Sequence, residues 1–197
     1  MMNKNFNRRA IKNNEAGFSL LEVAISGAIL MIGLVAILGV FALAVSTTQG
    51  VQLDQIAKQK AMDALESIYT ARATQSFTFA QIANIGGVPG AKFTNGVVNG
   101  ILTDGPDGIA GTADDGTTPQ GTCPLPFQCA ILPGPDGVLG TPDDVTLPLS
   151  NFTRTITITP NAAADPNLKQ VVVTVGYTDG RGHPRNYTVS AVISSFR

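Results

Sequence analysis

The feature that most constrains this chain is an uncharged apolar segment near its N-terminus. From Val23 to Val45, 23 consecutive residues carry no formal charge, and most of them are Ile, Leu, Val or Ala. A helix of this length is about 35 Å long, which is enough to cross the hydrocarbon core of a bilayer. The core helix of a soluble domain rarely needs so long an uncharged segment. We therefore predict one membrane-spanning helix over 18–45.

The charges in front of this segment predict its orientation. Residues 1–17 carry four basic side chains and one acidic side chain, a net charge of +3. Basic residues that flank a span stay in the cytoplasm. Residues 1–17 are therefore expected to be a cytoplasmic leader, and the chain after the span is expected to lie outside the cytoplasm.

Two cleavage sites compete in this N-terminus. Ala42-Leu43-Ala44 has the small-x-small pattern of an ordinary secretory signal, but the apolar core of such a signal is only about 7–15 residues long. Cleavage in front of the apolar segment would instead leave the helix on the mature protein. The sequence Gly17-Phe18-Ser19-Leu20-Leu21-Glu22 favours this second site.

This hexapeptide resembles the prepilin peptidase site of type IV pilins and type II secretion pseudopilins. The family pattern is a Gly before the cut, a Phe that becomes N-methylated, and a Glu as the fifth mature residue. Gly17, Phe18 and Glu22 match it. The resemblance implies that prepilin peptidase removes residues 1–17. It also implies that the mature chain passes from the bacterial inner membrane into a periplasmic or cell-surface filament of pilin or pseudopilin subunits.

Glu22 needs a partner on physical grounds as well. A carboxylate in a membrane helix costs up to about 3 kcal/mol. The amine that cleavage creates on Phe18 is four residues away on the same helix and cannot fully satisfy the acid. The family resemblance implies that the amine of a neighbouring subunit pairs with it. The alternative is that Glu22 reaches the membrane interface as an acid at a helix N-terminus.

After Val45 the helical pattern continues and becomes amphipathic. Apolar residues recur at steps of three and four, at Leu53, Ile56/Ala57, Ala61, Ala64/Leu65 and Ile68. We predict one helix over 18–72. In the family that the N-terminus resembles, the second half of this helix packs on the subunit's own sheet.

The middle of the chain, 73–150, is predicted to be a variable loop region. Between Gly86 and Ser150 there are 13 Gly and 9 Pro, a level typical of irregular sequence, and we expect no ordinary core from it. The pattern Gly-Pro-Asp-Gly-x-x-Gly-Thr-x-Asp-Asp occurs in it twice, at 105–115 and 134–144, an offset of 29 residues.

Calcium is the expected ligand of these repeats, because it prefers six to eight oxygen ligands in flexible loops. The repeat differs from an EF-hand and is loosely similar to the calcium loop of major pseudopilins. We expect one ion in each copy. The expected ligands are Asp107, Asp114, Asp115, Asp136, Asp143 and Asp144. The alternative is two solvated Asp-Gly turns without metal, which would leave the paired Asp unexplained.

Cys123 and Cys129 lie between the two copies. In an exported protein an even pair at this spacing is predicted to form a structural disulfide, since neither a third Cys nor a His lies nearby for zinc. Such a bond contributes about 2 kcal/mol for so short a loop.

From residue 151 to 197 the apolar period changes to two. Three stretches in which apolar and polar residues alternate are predicted to be strands. A turn at Asp179-Gly180-Arg181-Gly182 is predicted to join the last two, and His183 is expected to be exposed beside it. The predicted fold is therefore α+β and pilin-like. It consists of a long N-terminal helix on a C-terminal antiparallel sheet, with a Gly/Pro/Asp-rich insertion.

These features predict a structural subunit, most like a minor pilin or pseudopilin. The alternative is a membrane-anchored or secreted calcium-dependent adhesion module that does not assemble. An enzyme is not expected, because the chain has a single His and its carboxylates lie in turns. Charge is balanced at 13 basic and 14 acidic residues, so nucleic acid is not expected as a primary partner.

Overall fold

The computed structural model describes residues 19–160 and 165–196. The chain divides into two compact units, Met1–Val45 and Ser46–Arg197. The two predicted processing residues, Gly17 and Phe18, lie outside the described residues.

One helix, α1, begins at Leu20 and ends at Ala73, close to the predicted 18–72. In the first unit every described residue is exposed, although most are apolar. Among the described residues, α1 alone is long and apolar enough to cross a membrane, and an N-terminal signal sequence would have the same composition. The finding is consistent with a single-pass membrane protein.

Six strands follow the helix: β1 (Val97–Asn99), β2 (Cys129–Leu132), β3 (Val145–Pro148), β4 (Thr153–Pro160), β5 (Leu168–Thr178) and β6 (Pro184–Ser194). Four of them form an antiparallel sheet in the order β1-β4-β5-β6, and β2 pairs with β3 in a separate two-stranded sheet. The predicted α+β fold with a C-terminal antiparallel sheet is confirmed. The sheet has one strand more than predicted, because the short β1 from the middle of the chain pairs with β4.

The second half of α1 packs on this sheet, within the second unit. Leu53 and Leu65 of the predicted stripe are partly buried there. The buried side chains are the other five of the stripe and one beyond it, Ala71: Ile56, Ala57, Ala61, Ala64, Ile68 and Ala71. Four of these six are Ala, so the helix backbone can approach the sheet closely. Near the end of α1, Tyr69 Oη donates to Val192 O (3.1 Å) and Arg72 Nη2 donates to Ser195 O (2.6 Å), which attaches the helix to the end of β6.

A tight turn joins β5 to β6 where it was predicted. Asp179 Oδ1 accepts hydrogen bonds from Arg181 N and His183 N, both at 2.9 Å. Hydrogen bonds from these backbone groups are the main cause that lowers the pKa of Asp179. The side chain of His183 is mostly exposed, as expected for a turn residue.

The prediction that the middle of the chain supplies no ordinary core was wrong. Phe93, Ile101, Ile109 and Leu149 are buried in the same cluster as the helix and sheet residues. These apolar residues come singly between turns instead of in periodic rows, so composition and periodicity did not reveal them. The buried Lys169 of β5 supports the same region, because its Nζ donates to carbonyl oxygens of residues 79–82.

Candidate functional site

Glu22 lies in the first turn of α1. Its amide donates to Ser19 O (2.9 Å), and Ser26 Oγ donates to its carbonyl (2.5 Å). An acid in a first turn complements the positive end of the helix dipole. The side chain is exposed, so its carboxylate is accessible to a group from another molecule.

The two copies of the repeat, loop 1 (residues 105–115) and loop 2 (residues 134–144), fold in the same way. In loop 1, Asp107 Oδ1 accepts a hydrogen bond from Ile109 N (2.8 Å). In loop 2, Asp136 Oδ1 accepts one from Val138 N (2.8 Å). Each Asp thus caps a backbone amide two residues further on, which is the usual chemistry of an Asx turn.

A threonine hydroxyl forms the centre of each loop. Thr112 Oγ1 lies 2.6 Å from Asp114 Oδ1, and Thr141 Oγ1 lies 2.6 Å from Asp143 Oδ1. These hydrogen bonds are the largest cause that lowers the pKa of Asp114 and of Asp143. The shared Thr of the repeat therefore orients one carboxylate in each copy.

The first glycine of each loop allows a close approach of the chain. A Cβ on Gly105 would overlap the carbonyl oxygen of Asp114, and a Cβ on Gly134 would overlap that of Asp143. The two ends of each loop can meet only because these positions have no side chain.

Loop 1 ends in a buried ion pair. Asp115 Oδ2 accepts hydrogen bonds from Gly111 N and from Arg154 Nη2, both at 2.8 Å. The side chains of Arg154 and Asp115 are only 3% and 6% exposed. Desolvation raises the pKa of Asp115 to about 6, although the charge of Arg154 opposes it. Desolvation likewise raises the pKa of Asp104, whose Oδ1 lies 3.7 Å from Arg154 Nη1.

The surroundings of the two loops differ. Loop 1 is docked: Ile109 and Ala110 are buried, and Ala110 N donates to Ser67 Oγ of α1 (3.2 Å). In loop 2 the corresponding Val138 and Leu139 are 55% and 60% exposed. The same internal fold is therefore buried in one copy and presented to solvent in the other.

Loop 2 forms the tip of a hairpin. It connects β2 to β3, which pair from Leu132 opposite Val145 back to Cys129 opposite Pro148. Cys129, the first residue of β2, forms the predicted disulfide with Cys123, so a covalent bond closes the chain at the base of this hairpin.

The predicted metal ligands of loop 1 gather around one atom. Thr112 Oγ1 lies 3.5 Å from Asp107 Oδ1, 2.6 Å from Asp114 Oδ1 and 3.3 Å from Asp115 Oδ1. Oxygen atoms of this kind suit calcium. Nevertheless, the described part of the chain contains no group of three or more His, Cys, Asp or Glu arranged to hold a metal ion. The carboxylates bond instead to N–H and O–H groups of their own loops.

Sequence reasoning missed two residues of this site, Arg154 and Ser67, and assigned no role to Thr112 although the repeat contains it. A signal for Arg154 was present, because it interrupts an otherwise apolar row on β4 between Phe152 and Ile156. A lone base in the buried row of a strand indicates a buried acidic partner. Ser67 gave no comparable signal, since a single Ser on a helix face is ordinary.

Comparison with known proteins gives no relative of this chain: no family model, no curated protein and no solved structure matches it.

Proposed function

We propose that this chain is a structural subunit of a type IV pilus or of a type II secretion-type filament, most like a minor pilin or pseudopilin. Prepilin peptidase cuts it between Gly17 and Phe18, and the mature chain assembles through its N-terminal helix. Its partners are the inner membrane, the peptidase and other pilin or pseudopilin subunits. The proposed role is structural and involves no catalysis.

One observation carries this proposal. The helix α1 has an acid, Glu22, in its first turn, its first half is apolar and exposed, and its second half packs on the sheet. Large exposed apolar surfaces mark sites of protein or membrane contact. The first half of α1 therefore needs lipid around it and, once outside the membrane, the helices of other subunits. Glu22 then needs a positive charge from a neighbour, because burying a lone carboxylate is costly.

The helix boundaries also favour cleavage in front of the apolar segment. Cleavage after Ala44 would cut α1 in its interior, since the helix continues to Ala73. Cleavage after Gly17 would leave the whole of α1 on the mature protein. A competing function is a membrane-anchored or secreted calcium-dependent adhesion module, in which loop 2 at its hairpin tip would contact the target.

The mature N-terminus tests the proposal. Mass spectrometry of protein from its native host is expected to find a chain that starts at N-methylated Phe18. A chain that starts at Val45 would make it an ordinary secreted protein, and an uncut chain would make it a simple membrane anchor. Either result contradicts the filament subunit.

Glu22→Gln is expected to leave processing intact and to abolish incorporation into filaments, because it removes the charge that a neighbouring amine would pair with. Glu66→Gln is the matched control, since Glu66 is an exposed acid on the same helix. Immunogold microscopy of sheared filaments would measure incorporation. Surface display that persists in Glu22→Gln would favour the adhesion module.

Calcium remains part of this proposal. The carboxylates of Asp107, Asp114 and Asp115 near Thr112 Oγ1 are oxygen donors of the kind that calcium prefers, and binding the ion would replace their hydrogen bonds within loop 1. Asp136, Asp143 and Asp144 are the equivalents in loop 2. Bound calcium would supply positive charge to loops that are rich in acids. Its role would be to hold the loop conformation.

Titration calorimetry of the full chain in detergent is expected to show binding of calcium and no heat with magnesium, which demands a more rigid octahedral site. At a calcium concentration of about 100 times Kd, the protein should gain about 2.7 kcal/mol of stability. Asp107→Asn and Asp136→Asn should each remove one binding event. An absence of heat at millimolar calcium would contradict the assignment.

A further inference from the structure

The outward face of loop 2 is the face that loop 1 buries. The two loops share five internal hydrogen bonds at equivalent positions, so equivalent residues point in equivalent directions. In loop 1 a Cβ on Gly111 would touch Ile156 and Phe93, whereas one on the equivalent Gly140 would meet nothing within 4 Å. Asp144 Oδ1 is inaccessible to solvent and has no hydrogen-bond partner among the described residues.

The surroundings of loop 1 therefore indicate what kind of surface the exposed face of loop 2 could bind. It lies against the helix at Ser67, against the apolar side chains of Phe93 and Ile156, and beside the guanidinium of Arg154. The matching surface is thus an apolar groove between a helix and a strand, flanked by an arginine. Loop 2 is not packed against such a surface, since its Val138 and Leu139 are exposed among the described residues.

The second unit carries a groove of this kind elsewhere. A cavity of about 530 Å³ lies between the end of α1 and the end of β6. Its lining includes Tyr69 and Arg72 from the helix, and Val192 and Phe196 from the last strand and the residues after it. The side chains of Val192 and Phe196 are more than half exposed, so the groove offers apolar surface next to an arginine.

We infer that loop 2 of one copy of this chain docks into this groove of a second copy. Val138 and Leu139 supply the apolar contact, as Ile109 and Ala110 do in loop 1. Among the described residues no basic side chain pairs with the acids of loop 2, and Arg72 of the second copy supplies that positive charge. The hydrogen bonds from Arg72 to Ser194 and Ser195 use two of its five N–H groups.

The contact joins two different surfaces, so it is heterologous. Each copy has one loop 2 and one groove, and such contacts build open rows of subunits when the rotation does not close. The inference rests on the proposed function in one respect, since it names a second copy as the partner that a filament would supply. The paired strands β2 and β3 and the disulfide at their base fix the two ends of loop 2, which presents the loop for this contact.

Cysteine cross-linking of the full chain tests the inference. Leu139→Cys and Phe196→Cys are made in separate copies, which are co-expressed with different tags and oxidised in membranes. Both positions are exposed, so neither change should disturb folding. We expect a disulfide-linked dimer that contains both tags. Val97→Cys replaces Phe196→Cys in the control, because Val97 is equally exposed on the opposite edge of the sheet, and no dimer is expected from that pair.

A second variant tests the apolar contact. Val138→Asp in the Leu139→Cys copy is expected to abolish the dimer. Absence of the mixed dimer, a dimer of equal yield with Val97→Cys, or a dimer unaffected by Val138→Asp would each overturn the inference. Because the assay needs no filaments, its result is separate from the mature N-terminus and filament microscopy, which test the proposed function.

Discussion

Replacing Asp115 with Ala is expected to lower the free energy of unfolding by about 3–5 kcal/mol at neutral pH, the usual cost of removing one partner of a buried ion pair. The side chain of Arg154 is 3% exposed, and a guanidinium cannot escape its burial by losing a proton. Without Asp115, the one acid left beside it in the described part of the chain is Asp104, at the longer distance of 3.7 Å. Urea unfolding of the full chain in detergent, followed by the near-UV circular dichroism of its tyrosines, would measure the loss.

The repeat provides a matched control in Asp144→Ala. Asp144 occupies the same place in loop 2, and its Oδ2 accepts the equivalent hydrogen bond from Gly140 N (2.7 Å). No arginine is paired with it among the described residues, so the expected loss is only about 1 kcal/mol, that of an ordinary hydrogen bond. Equal losses in the two variants would contradict a dominant role for the ion pair.

The pH dependence of the same pair has a defined sign. The pKa of Asp115 is raised from 3.8 to about 6 by desolvation. Protonation of Asp115 therefore adds a pH-dependent increment to stability, which is fully present below about pH 3.8 and is lost as pH rises through about 6, where the ion pair with Arg154 is the contribution that is left. Asp115→Ala should remove this part of the pH profile, while Asp144→Ala should retain it.

Replacing Phe93 with Ala is expected to cost about 3–5 kcal/mol, because deletion of a buried aromatic ring leaves a cavity. Phe93 is fully buried, and its ring meets that of Phe77 edge to face at 6.0 Å. Its amide and carbonyl also bond to Ala83 and Ile85, which links the middle of the chain to the core.

Phe196→Ala is the control for this change, since Phe196 is 68% exposed and surface changes stay within about 0.5 kcal/mol. The same urea unfolding measurement serves for both variants. A small effect of Phe93→Ala would mean that the segment around residue 93 opens independently of the sheet.

The helix and the sheet could be predicted from sequence because their signals are periodic. The stripe from Ile56 to Ile68 and the alternating rows on β4 to β6 repeat at intervals that only a helix or a strand produces. The disulfide could be predicted because only two cysteines are present and they lie close together. In each case a short-range pattern determined the structure.

Long-range contacts could not be predicted in this way. β1 has only three residues and pairs with β4 more than fifty positions later. The repeat itself was evident, but its two copies are identical in pattern at the positions that hold the loops together. What distinguishes them is Arg154 and Ser67, which lie far along the chain on other elements. The burial of loop 1 and the exposure of loop 2 therefore needed the structure.

The close approach at Gly105 and Gly134 has a consequence for how this protein can change over generations. Loop 2 returns the chain close to where it left and exposes its apolar side chains, so it acts as a cassette of eleven residues. A duplication can add such a cassette, and a deletion can remove one, without altering the pairing of β4 with β5. Diversity can thus accumulate in whole units at the hairpin tip while the scaffold beneath it stays constant.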